Sequence, residues 1–205
     1  MLDLIASALK RNDEQPNIEL AKQLVKNQDT SGIMEIVSGL TMKKDIANDC
    51  VKVLYEIGED DPTLIVSYVN TFLDLLKSKN NRLVWGAMTA LNQIVALCSE
   101  EVFARVEEVY DAYKKGSVIC IDQSISVFAK LCVANKKYEQ KVLPILLNHF
   151  QSCRAKEIPQ HFERTAICIT KDNISLFQPI IEKRYAEMMA SQQTRVNKVL
   201  KKLAL

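Results

Sequence analysis

Trp85 is the single tryptophan of the 205-residue chain, and it follows Arg82 by three positions. A tryptophan is costly to leave in water and is over-represented at interface hot spots. Trp85 is therefore a candidate aromatic anchor flanked by Arg82, with packing against a neighbouring helix as the competing role. His149 and His161 are the only histidines. The sequence offers them no obvious cysteine or carboxylate at metal-ligand spacing, so they are expected as satisfied or surface histidines. Cysteines stand at 50, 98, 120, 132, 153 and 168 with no CxxC pair among them. They are expected as small core hydrophobes in a reducing compartment rather than as a disulfide framework or a zinc site. No phosphate-binding glycine loop, HExxH or GxSxG occurs. The expectation is a protein with no catalytic residues, no metal and no cofactor.

Composition narrows the classes further. The chain is 48% hydrophobic and 25% charged, with five Gly and five Pro, which suits a folded chain of helices and short turns. The formal net charge of +2 creates no strong overall field toward nucleic acid or anionic lipid. Charge is uneven, however. Lys183 to Leu205 holds six basic residues against one acidic, leaving 21 basic and 24 acidic in the rest. The first fifteen residues read as a short amphipathic helix rather than a signal peptide, and no run is long enough to span a membrane. A cytoplasmic chain is expected.

The elements that must position these side chains follow from a repeat of about 37 residues, each unit reading as a pair of antiparallel helices. Ile46, Cys50, Val53, Leu54 and Ile57 align with Leu83, Ala87, Ala90, Leu91 and Ile94. Next come Cys120, Ser124, Val127, Phe128 and Leu131, then Ile158, Phe162, Thr165, Ala166 and Ile169. No stretch shows strand alternation. The pattern predicts an all-α chain of about twelve helices in six pairs, the first covering Leu2 to Arg11. Pro16 opens the second, Asp29, Thr30 and Ser31 offer an N-cap for the third, and Asp61 with Pro62 opens a helix continuing to Leu76. Ser99 to Gly116 is expected as one helix. Pro144 is expected to kink its helix or break the first turn. Asn173 and Thr194 are expected as N-caps of the last two helices.

The units KKDIANDCVKVLYEIGEDDP, NNRLVWGAMTALNQIVALCS and SVICIDQSISVFAKLCV resemble HEAT repeats and the related armadillo-like repeats. The likeness is strongest from Lys43 to about Cys153 and extends to small bacterial HEAT-repeat proteins. It implies one right-handed α-solenoid over residues 1–205, with partners bound along a concave face lined by the second helix of each pair.

Residues two positions beyond the first buried site of each copy turn about 200° off the stripe. They are Asn48, Trp85, Asp122 and Gln160. Four residues on lie Lys52, Thr89, Ser126 and Arg164, and three further Tyr55, Asn92, Ala129 and Ile167. Under the layout that the resemblance implies, Asn48, Arg82, Trp85, Asp122, Gln160, Lys52 and Arg164 form a partner-binding strip. The favoured expectation is a non-catalytic interaction or scaffold module for a protein or peptide. The alternative is a HEAT-like DNA-binding protein or alkylated-base DNA glycosylase, disfavoured by the near-zero net charge and by ladders of mixed polarity. The basic end of the chain is expected to cap the last repeat, with docking to an acidic partner or phosphate backbone as the other option.

Overall fold

The structure is a computed structural model and describes residues 1–203. Among these residues there are twelve α-helices and no β-strand. In chain order they are α1 (Gln15–Asn27), α2 (Thr30–Gly39), α3 (Lys44–Asp60), α4 (Val69–Leu75), α5 (Asn81–Ile94) and α6 (Ser99–Ala104). They continue as α7 (Val106–Lys115), α8 (Val118–Ala134), α9 (Lys136–Ser152), α10 (Ile158–Thr165), α11 (Ile174–Arg184) and α12 (Ala190–Leu203). The chain gathers into two compact units, one ending at Ser124 and one beginning at Ile125, so the boundary falls within α8.

In the first unit α3 lies between α1 and α5, with α2 packed on α3 and α4 on α5. In the second, α9 packs with α11 and α10 with α12. The aligned apolar positions are what each helix buries. Of the twenty, only Ile46 and Ala166 are half-buried, and the others are buried. Helix α5 approaches α3 at Gly86, where a Cβ would sit 2.8 Å from a methyl of Val51. No larger residue fits there without moving a buried β-branched side chain.

The expected start signals hold in part. Pro16 and Pro159 occupy first turns. Asp29 accepts from the Gly32 amide at 2.8 Å, and Asn80 accepts from the Arg82 amide at 3.1 Å, each at a helix N-terminus. Pro144 sits inside α9, which continues through it without a break. Both Pro144 and Gln140 are exposed, so water can satisfy the carbonyl that loses its partner.

Several expectations are corrected. Residues 1–10 form a series of turns, not a helix. Two central amides are taken by side chains instead: Ala6 donates to Asn17 Oδ1 at 2.9 Å and Ser7 to Asp49 Oδ2 at 2.7 Å. Asn17, fully buried, completes the link by donating to Asp49 Oδ1 at 2.8 Å. Side-chain acceptors here compete with the helical ladder and win. The segment before α4 opens as two 3₁₀ turns, Pro62–Leu64 and Val66–Tyr68. The expected helix from Ser99 to Gly116 breaks between α6 and α7 at Arg105, whose guanidinium bonds Asp74 and Glu108 at 2.6 Å each. Asn173 stands at the expected N-cap position of α11, but its side chain makes no capping bond and instead accepts from the Thr170 amide and donates to Glu139 and the Cys168 carbonyl. Thr194 lies within α12, its hydroxyl bonded to the Ala190 carbonyl.

Candidate functional site

The first unit brings Lys52, Arg82 and Trp85 into one cluster with Glu14, Tyr55 and Glu56. Helix α3 contributes Lys52, Tyr55 and Glu56, at i, i+3 and i+4, and these spacings share a face. Helix α5 contributes Arg82 and Trp85, again one turn apart. Glu14 comes from the residue just before α1. The Arg82 guanidinium lies over the Trp85 ring, 4.4 Å from its centroid. Tyr55 meets the same indole at 5.8 Å between centroids with the planes inclined by 44°. Trp85 is half-buried, so one side packs on the neighbouring helix and the rest remains open.

The charges of the cluster cancel. Arg82 pairs with Glu14. Lys52 Nζ lies 2.5 Å from Glu56 and 3.3 Å from Glu14, and 4.8 Å from the Tyr55 ring centroid. Lys52 is only 7% exposed, yet its pKa is raised: burial lowers it, and bonding to Glu56 and Tyr55 more than offsets the loss. At Glu14 burial pushes the pKa up, and Arg82 and Lys52 together still hold it below the ordinary carboxylate value. Burial raises the Tyr55 phenol, opposed by Lys52. Stacking and ion pairs already fix the long side chains around the indole.

Asn48 accepts a 2.8 Å bond from Asn80 and lines a polar cleft of about 450 Å³ with Lys10, Arg11, Asp45 and Asp49. Asp122 is half-buried on α8. In the second unit Gln160 is half-buried on α10, and Arg164 donates to Ser126 at 2.8 Å. Glu14 and Glu56 are the cluster members that the sequence argument missed. Glu56 follows Lys52 by four residues and was discoverable as an i,i+4 ion pair; nothing local links Glu14 to residue 82.

The second unit corrects the expectation of isolated histidines. His149 and His161 face each other with ring nitrogens 2.8 Å apart, and both are buried. Cys153, one turn after His149, brings its sulfur to the same point, so that one ligand-type atom from each residue lies within 4.8 Å of the others. The signal was present as His149-x3-Cys153, a one-turn spacing of ligand types. The remaining five cysteines are buried free thiols. Burial pushes the Cys50 and Cys98 thiols up to about 12 and Cys120 to about 11.

At the basic end, Arg195 of α12 makes a two-bond pair to Glu163 of α10, at 2.9 and 2.6 Å. No helix among the described residues is long and apolar enough to cross a membrane. Compared with known protein families and with curated proteins, the chain matches none.

Proposed function

We propose that this protein is a non-catalytic interaction module of HEAT-like helix pairs, binding a protein or peptide partner through the surface around Trp85. The observation that carries this proposal is the half-open indole of Trp85, held between the Arg82 guanidinium and the Tyr55 ring. Trp, Tyr and Arg are the residue types that dominate binding energy at protein interfaces. The neighbours α3 and α5, burying aligned apolar positions, support a repeat architecture. Free thiols support a reducing compartment. A nucleic-acid role gains nothing from the cluster, because Arg82 and Lys52 already face two carboxylates.

Trp85 is also the reporter. It is the chain's one indole, so intrinsic fluorescence reads this surface alone. A partner captured by the wild-type chain, then purified, should shift that emission on titration. The Trp85→Ala, Arg82→Ala double variant should lose at least about tenfold in affinity, the scale of one hot-spot residue, at unchanged melting temperature. Undiminished binding by the folded double variant would remove this surface from the proposal. Retardation of duplex DNA that fades as salt rises would point to the nucleic-acid alternative.

A further inference from the structure

We propose that His149, Cys153 and His161 form a binding site for one borderline-soft divalent cation of the Zn²⁺ class, tying the C-terminal turn of α9 to the first half of α10. Imidazole nitrogen and thiolate sulfur are the donors such an ion prefers. Three elements of the structure make this a built site rather than a chance meeting.

First, the donor atoms converge. Tetrahedral coordination at Zn–N of ~2.05 Å and Zn–S of ~2.3 Å requires donors about 3.3 Å (N to N) and about 3.6 Å (N to S) apart. The facing imidazole nitrogens are 2.8 Å apart, and all three donors lie within 4.8 Å. Opening the nitrogens by about 0.5 Å and drawing in the sulfur by at most about 1.2 Å meets the geometry. A turn of the Cys153 side chain at the end of α9 can supply the larger movement.

Second, the surroundings hold the ligands in place. Arg184 donates to the carbonyls of Phe150 at 2.9 Å and Cys153 at 2.8 Å, clamping the turn that carries the thiol. Third, the site has a dry wall and one open side. Phe150 meets His149 edge-on at 5.6 Å and contacts Phe162 and Phe177 at 5.8 and 6.1 Å. Cys153 is half-exposed, and three protein donors leave the fourth position for water on that side.

The test uses the full chain, untagged and stripped with chelator, titrated first with Co²⁺ and then with Zn²⁺. One equivalent of Co²⁺ should produce visible d–d bands of tetrahedral intensity and a thiolate charge-transfer band, both displaced by Zn²⁺. Zn²⁺ should also raise the melting temperature, because it binds only the folded ligand set. Cys153→Ser is the deciding variant, since it alters the rim and leaves the phenylalanine core intact. It should abolish the charge-transfer band and weaken Zn²⁺ at least about tenfold, while its melting without metal stays that of the wild type. Cys50→Ser, in the other unit, should titrate like the wild type. A chain that gives no saturable Co²⁺ spectrum, or a band that persists in Cys153→Ser, overturns the site and leaves a hydrogen-bonded histidine pair in its place. Should Cys153→Ser fail to fold, His161→Gln takes its place: an unchanged Co²⁺ spectrum in that variant equally overturns the site.

Discussion

At the scale of the residue, Glu14 shows how one carboxylate organises a surface made by three segments. Its two oxygens meet Arg82 and Lys52, and those cations reach Trp85 and Tyr55. Its folded pKa lies below the ordinary value of 4.5, so the stability it contributes is present above that pH and is lost as pH falls through the folded value. Because the side chain is 44% exposed, solvent screening limits the contribution to roughly 0.5–1 kcal/mol. Glu14→Gln should therefore lower the melting temperature near neutral pH by about 1–4 °C. It should also flatten the decline in stability below about pH 4.5. Equal acid sensitivity in variant and wild type would show that the pairing contributes nothing. Chemistry at this scale was the least legible in the sequence. Trp85 was identifiable by type, but Tyr55, which packs on it, comes from another helix, and Glu14, which pairs with Arg82, from the residue before α1. Cys153 was passed over because the short turn to Ile158, which brings His161 back to it, is not written in any motif.

At the scale of the element, the buried stripes were legible and the lateral contacts were not. Leu54, Leu91 and Phe128 are all fully buried, as period and residue type dictate. The expectation sets Asn48, Trp85 and Asp122 side by side along one strip; the contacts that period alone does not give are Asn48 with Asn80 and Trp85 with Tyr55. The first helix was misjudged for a related reason: its fate is decided by Asn17 and Asp49, which no local pattern connects to residue 6 or 7. Close approach of neighbours carries a prediction at Gly86. Ala there would gain about 1 kcal/mol in helix propensity. Its methyl would press on the fully buried Val51, and overpacking costs about 1–3 kcal/mol. The second effect should win, giving a melting temperature a few degrees lower for Gly86→Ala. A stabilised variant would mean that α3 and α5 can separate at little cost.

At the scale of the whole molecule, the same apolar stripe recurs at the aligned positions of each unit. In the second unit, helix α12 packs on α10, buries Val196 and Val199 and turns Lys198, Lys201 and Lys202 to solvent. The ion pair of Arg195 with Glu163 is 47% and 42% exposed, worth at most about 1 kcal/mol. Burying two valines is worth about 1.5–3 kcal/mol each. Apolar cover therefore outweighs charge in holding α12, and the basic side chains serve as its polar outer face. Truncation after Met189 should then lower the midpoint of the helical melt by about 6–24 °C, at 2–4 °C per kcal/mol for a chain of this size. Arg195→Gln in the full chain should move it by no more than about 2–4 °C. The loss on truncation should also persist in high salt, which screens ion pairs and leaves apolar burial in force. A truncated chain that melts with the full-length midpoint would instead make α12 an arm free to dock on an acidic surface.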